Sequence, residues 1–134
     1  MGNWIPGDPT LVAQLLKISG SYSPPPPEGF ISPVTWGVEE NVIERFGQAG
    51  ITADKISFSR ETYTSEHPAP PTELLAVLRD YYGPTMYPFA PAGADRRTEQ
   101  LQKELADLFA SQNTSPDPEG TAVPATFLQV TVNV

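Results

Sequence analysis

The chain has no cysteine and one histidine, His67. Without a thiol there is no disulfide framework, no thiolate metal site and no cysteine nucleophile, which accords with a reducing compartment. A lone imidazole without a spaced second histidine or carboxylate cluster falls short of the ligand count of a metal site, so none is expected. Basic residues are also scarce: 8 Lys and Arg stand against 16 Asp and Glu, a formal net charge of -8 and a pI near 4.4. Nucleic-acid binding draws its affinity from clustered cations, so neither nucleic acid nor an anionic membrane is an expected partner. No apolar run approaches the length of a signal peptide or a membrane span, and the expected location is the cytoplasm. No internal repeat is visible.

Proline is abundant instead. Ten of the 16 prolines gather at 24–27, 68–71 and 84–91. Because proline lacks the backbone donor and clashes with the preceding helical turn, each cluster marks a connector between regular elements. A polyproline ligand is an alternative for 24–27, but a stiff spacer is the simpler reading. Between connectors, Asp8-Pro9 and the recurrence of Leu11, Val12, Leu15 and Leu16 predict a helix over 9–19, stopped by Gly20. A second helix is predicted over 35–46, with Val38, Val42, Ile43 and Phe46 inward and closure on Gly47. Residues 54–64 alternate with period two and read as a strand. A third helix begins at Thr72-Glu73 and stops at Gly83-Pro84, and a fourth runs from a cap at Asp95 to Gln112 with Leu101, Leu105, Leu108 and Phe109 on one face. Residues 113–120 read as a polar loop. The last segment, 124–134, is a strand with Leu128, Val130, Val132 and Val134 on one side and Phe127, Gln129, Thr131 and Asn133 on the other. The expectation is one α+β domain over 1–134, with about four helices packed on a small antiparallel sheet. A chain of this length buries roughly two thirds of its unfolded surface, enough for a modest core.

Candidate chemistry is sparse. His67, beside Glu66 and within reach of Arg60 or Glu61, can be sketched as a general base, but a histidine in a proline-rich loop is more simply solvated. Glu39 and Glu40 point about 100° apart on a helix and do not form a facing carboxylate pair. The GQAG run at 47–50 is too poor in glycine to cradle phosphate. No catalytic, cofactor-binding or metal-ligating residue is assigned. The aromatic residues Trp4, Tyr22, Phe30, Trp36, Tyr81, Tyr82, Tyr87 and Phe89 cluster about the proline-rich connectors. They form either a wall for an apolar pocket or simply the core between helices.

MGNW at 1–4, YSPPPP at 22–27, SPVTWG at 32–37, VEENVIERFG at 38–47, LRDYYGPT at 78–85 and VPATFL at 123–128 together resemble the C-terminal portion of a class I S-adenosylmethionine-dependent methyltransferase. The resemblance spans essentially the whole chain. It implies a partial Rossmann-like half in which the last strand is inserted antiparallel between two parallel ones, one at 54–64 and one ending near Asn3-Trp4. It also implies that the cofactor-binding N-terminal half, with its glycine-rich turn and acidic ribose ligand, is missing, so no cofactor is expected on this chain. The inserted helical region in such enzymes tends to cover the substrate, where the aromatic wall would lie. Loss of one neighbour would leave the last strand with an uncovered edge, predicting a homodimer through that strand or through exposed helix faces. Two functions follow as expectations. The first is a methyltransferase-like portion without independent catalysis, structural or completed by a partner that supplies the other half. The second is a stand-alone module binding a small apolar or aromatic molecule.

Overall fold

A computed structural model describes residues 1–89 and 96–134, with the Tyr87 side chain excepted. Three strands, β1 (Gly2–Trp4), β2 (Ile56–His67) and β3 (Thr121–Val132), form one sheet in the order β1-β3-β2. Both β1 and β2 run antiparallel to β3, so they are parallel to each other. Five α-helices accompany them among the described residues: α1 (Leu11–Tyr22), α2 (Glu39–Gln48), α3 (Pro71–Tyr81), α4 (Gly83–Phe89) and α5 (Arg96–Gln112). Short 3-10 turns occupy Pro33–Gly37 and Ala53–Lys55. The α+β class is as the sequence predicts.

The strand β3 places helices on both faces of the sheet. Its buried residues change phase along the chain: Thr121, Val123 and Ala125 are buried, then Leu128 and Val130. The register with β2 is continuous from Ile56↔Val132 to His67↔Thr121, so no bulge intervenes and the two rows lie on opposite faces. On the first face Val123 packs with Leu11 and Leu15 of α1, Leu75 of α3, and Leu101, Leu105 and Phe109 of α5. On the second, Leu128 and Val130 pack with Ile5, Val42 and Ile56, flanked by Trp36 and Phe46. Leu128 and Val130 of the predicted greasy face are buried and Val132 packs beside them, but Val134 lies past the end of the strand and is fully exposed, and residues 121–125 extend the strand with the opposite phase.

Several local expectations shift. The helix α1 begins at Leu11, where Asp8 Oδ1 accepts the backbone N–H of Thr10 at 2.9 Å. Gly20 does not end it, because an interior glycine weakens a helix by only about 1 kcal/mol; the helix runs to Tyr22 and stops before Pro24. The helix predicted over 35–46 is split, with Val38 extended between the 3-10 turn and α2. Its C-terminus lies beyond Gly47, where Gly50 adopts φ +81° and the Ile51 N–H donates back to the Phe46 carbonyl at 3.0 Å. Part of the expected 84–91 connector is helical, since Pro84 occupies the first turn of α4, where no donor is needed. The predicted Asp95 cap lies outside the described residues.

The second edge of β3 is occupied, which corrects the expectation of an uncovered strand. The Val130 N–H donates to the Met1 carbonyl at 2.8 Å, and the Met1 nitrogen donates to the Val130 carbonyl at 2.7 Å. Asn3 lies opposite Leu128. Further along, the Thr126 N–H donates to Thr10 Oγ1 at 2.8 Å, Pro124 has no donor to satisfy, and the Ala122 N–H donates to Asn113 Oδ1 at 2.8 Å. Residues 1–4, Thr10 and the 113–114 loop thus serve the donors and much of the ladder that a further strand would otherwise take.

Candidate functional site

Where β1 ends, the chain turns sharply. Ile5 is buried, Pro6 follows, and Gly7 takes φ +77°, a conformation that glycine adopts without strain. The turn Pro33–Gly37 lies directly against β1: a Cβ built on Gly37 would sit 2.0 Å from the Trp4 carbonyl oxygen. Tyr82 forms the single-residue break between α3 and α4, with φ -105° and ψ 107°. Between these elements and α1 lies a cavity of about 640 Å³. This is within the range of small-molecule sites.

Its walls are chiefly apolar. Trp4, Ile5 and Pro6 come from β1 and its exit, Ala13 and Leu16 from α1, Pro33 and Val34 from the 3-10 turn. Phe30 stands at the rim, 54% exposed. Besides Ser32, three polar residues contribute to the lining. The first is the Tyr82 hydroxyl, which burial pushes above its ordinary pKa, an effect the neighbouring Trp4 side chain partly offsets. The second is Asn3, whose Nδ2 is buried and has no hydrogen-bond partner among the described residues. The third is Lys17, the one charged residue of the lining.

The predicted aromatic set does not form one wall. Trp4, Phe30 and Tyr82 meet in the cavity. Trp36 belongs to the second core: the Arg45 guanidinium lies 4.5 Å above its ring, and Phe46 meets it edge-on at 6.1 Å. Tyr22 packs against the first core and donates its hydroxyl to Glu104 at 2.6 Å, with Arg97 over its ring. That carboxylate raises the Tyr22 pKa. Tyr81 is 82% exposed on α3. Phe89 packs on the first core, and the Tyr87 side chain lies outside the described residues.

Asn3 and Lys17 escaped the sequence reading. A signal for the latter was present: Ala13, Leu16 and Lys17 follow i, i+3, i+4 spacing and so share a face of α1 distinct from the Leu11–Leu15 core face. Asn3 carried none, since an asparagine beside an isolated tryptophan has no periodic context.

His67 closes the end of β2 opposite Thr121, with no ion pair to it among the described residues. Glu39 and Glu40 are exposed in the first turn of α2. Among the described residues no group of three or more His, Asp or Glu side chains is placed to hold a metal ion, and no helix is long and apolar enough to cross a membrane. Comparison of the chain with protein-family models, curated proteins and solved structures finds no match in any of the three.

Proposed function

We propose that the chain is the substrate-side portion of a class I S-adenosylmethionine-dependent methyltransferase, acting in the cytoplasm and completed by a partner segment that binds the cofactor. The observation that carries this reading is the strand order: β3 lies antiparallel between the mutually parallel β1 and β2, with helices on both faces. The cavity lies off the carboxyl end of β1, where open α/β sheets hold their ligands. Fold alone does not assign chemistry, so the functional weight falls on the cavity.

In this reading methyl transfer needs both halves. The chain supplies the wall that encloses the acceptor molecule, while its sequence offers no glycine-rich turn after a strand to cradle the cofactor. Calorimetric titration of the chain with S-adenosylmethionine is expected to give no binding tighter than ~100 µM, about -5.5 kcal/mol. Coexpression with a separate polypeptide that carries a class I cofactor-binding half is expected to restore cofactor binding and methyl transfer. Tight binding by the chain alone, or no binding after coexpression, overturns the proposal.

The cavity also supports a second reading, a stand-alone module for a small apolar or aromatic molecule, in which no cofactor half takes part. Self-association is proposed along the outer edge of β2 or the exposed faces of α3 and α4, since β3 is already covered.

A further inference from the structure

We propose that the outer edge of β2 docks the same edge of a second copy, about a two-fold axis at Tyr63, in the register that sets Arg60 of each copy opposite Glu66 of the other. The proposal deepens, and rests on, the self-association put forward above. Edge strands are commonly protected by a bulge, a proline or a lysine, and β2 has none: its register with β3 is continuous over twelve residues, and neither Pro nor Lys occurs within it. Residues 59–64 are exposed whichever face of the sheet they point to, so no helix overhangs this edge. Among the described residues its backbone makes no hydrogen bond beyond those to β3.

Charge complementarity selects both the partner and the register. Odd-numbered residues of β2 bond to β3, so the even-numbered ones present their backbone groups outward, and an antiparallel copy must meet even with even. Each such two-fold arrangement is centred on one residue. Centring on Arg60 or on Glu61 opposes that charge to itself. Centring on Thr62 leaves Glu66 against Phe58, centring on Thr64 carries Arg60 past the strand to Pro68, and centres further out shorten the paired segment. Centring on Tyr63 pairs Arg60 with Glu66 twice, lets Thr62 and Thr64 exchange ladder bonds, and brings together the two copies of Tyr63, each 62% exposed in the single chain. Within one copy Arg60 and Glu66 are roughly 20 Å apart along the strand, opposite Leu128 and Ala122, and neither makes an ion pair among the described residues. In a chain of net charge -8, Arg60 is the one cation of β2, and this register gives it an anion that its own copy does not.

The absence of cysteine makes a single introduced thiol a clean reporter. The two Tyr63 residues form a non-hydrogen-bonded pair with Cα atoms about 4.5 Å apart, within disulfide range. Tyr63→Cys under a mild oxidant is expected to give a covalent dimer. Ser59→Cys is expected to give none, because eight residues, roughly 26 Å of strand, separate the two copies of that position. Charge reversal reads the same register without a covalent bond. Arg60→Glu and Glu66→Arg are each expected to weaken self-association about tenfold, since each turns two attractions into two repulsions. An equimolar mixture of these two variants is expected to recover the parent's association, because both contacts of the mixed pair are again opposite in charge. Sedimentation equilibrium carried to ~1 mM chain reads contacts as weak as millimolar. Both positions are exposed, and far-ultraviolet circular dichroism checks the fold.

Absence of the Tyr63 cross-link, or of recovery on mixing, in a parent that still exceeds the monomer mass overturns this register and moves the contact to the helix faces, while self-association stands. A parent that stays monomeric at every concentration overturns both, and leaves the edge to a strand of a different protein. Either result is read separately from the S-adenosylmethionine titration, so failure of the methyltransferase proposal is distinguishable from failure of this one.

Discussion

Gly37 passes so close to Trp4 that a methyl group at 37 would lie 2.0 Å from the Trp4 carbonyl oxygen and 3.1 Å from the Ile5 Cα. Both obstacles are backbone, so no flexible side chain can yield, and either the 3-10 turn or β1 must move. Gly37→Ala is expected to destabilise the fold by about 1 to 3 kcal/mol, the usual cost of overpacking. Gly20 offers the control: it lies inside α1 with nothing within 4 Å of its would-be Cβ. Gly20→Ala is expected to stabilise by about 0.5 to 1 kcal/mol. Thermal melts of the two variants should therefore move in opposite directions, and a Gly37→Ala protein that melts with the parent would contradict the packing of the turn on β1.

Tyr82 supplies a pH signature. Burial raises its pKa above the ordinary value near 10, the neutral phenol being the form the cavity accommodates. The folded state thus holds its proton after the unfolded state has released it. The resulting stability is fully present below about pH 10 and is lost as pH rises through the folded-state value. Ultraviolet absorbance at the phenolate band should show that Tyr82→Phe removes one phenol from the part of the parent's titration that lies above the ordinary tyrosine value. The melting temperature of the parent should fall more steeply than that of Tyr82→Phe above that pH.

Helices α1, α2, α3 and α5 and the long β2–β3 pair were legible because each repeats a period over many residues, whereas the short α4 lies in a stretch read as a proline-rich connector. Leu101, Leu105 and Phe109 mark α5 by helical spacing alone, and all three are buried. The break at Val38 was not legible, because the close approach of Trp4 that sets Gly37 in a 3-10 turn is a contact across 33 residues of chain. The phase change in β3 was missed for a similar reason. Val123 and Ala125 alternate as regularly as Leu128 and Val130, but which face each row takes depends on helices from distant parts of the sequence. For the cavity, Trp4, Phe30 and Tyr82 were found as aromatic residues near proline. Asn3 and Lys17 were not, since a polar group becomes notable only once its surroundings are known to be apolar.

Asn113 organises the loop before β3. Its Oδ1 accepts the backbone N–H groups of Ser115 at 3.1 Å and Ala122 at 2.8 Å, and its Nδ2 donates to the Gly120 carbonyl at 3.0 Å. Asn113→Ala removes all three bonds and leaves a partly buried ladder donor at Ala122 unserved, costing about 1 to 3 kcal/mol. Asn113→Asp keeps the two accepted bonds and should lose less. Urea denaturation of the three proteins is expected to rank them parent, Asn113→Asp, Asn113→Ala; equal midpoints would show that water replaces the side chain without cost.

The two edges of the β2–β3 ribbon should respond oppositely to proline. Even-numbered donors of β3 face β1, as the Val130, Thr126 and Ala122 N–H groups show, so the odd-numbered donors face β2. With the register Ser59↔Gln129 and Thr64↔Pro124, the even-numbered residues of β2 then point their backbone groups to the free edge. Val130→Pro removes the donor that joins β3 to Met1 and places a proline in a buried central strand, so it is expected to unfold the chain or cost about 3 kcal/mol or more. Thr64→Pro removes a donor that no strand uses, at an exposed position. It is expected to stay folded and to abolish the proposed association of copies along this edge, read as a monomer mass by light scattering, because a second copy adding to β2 needs that donor. Should Thr64→Pro retain the parent's mass above the monomer, the contact between copies lies on the helix faces. Should Val130→Pro fold as well as the parent, the pairing of β1 with β3 contributes little.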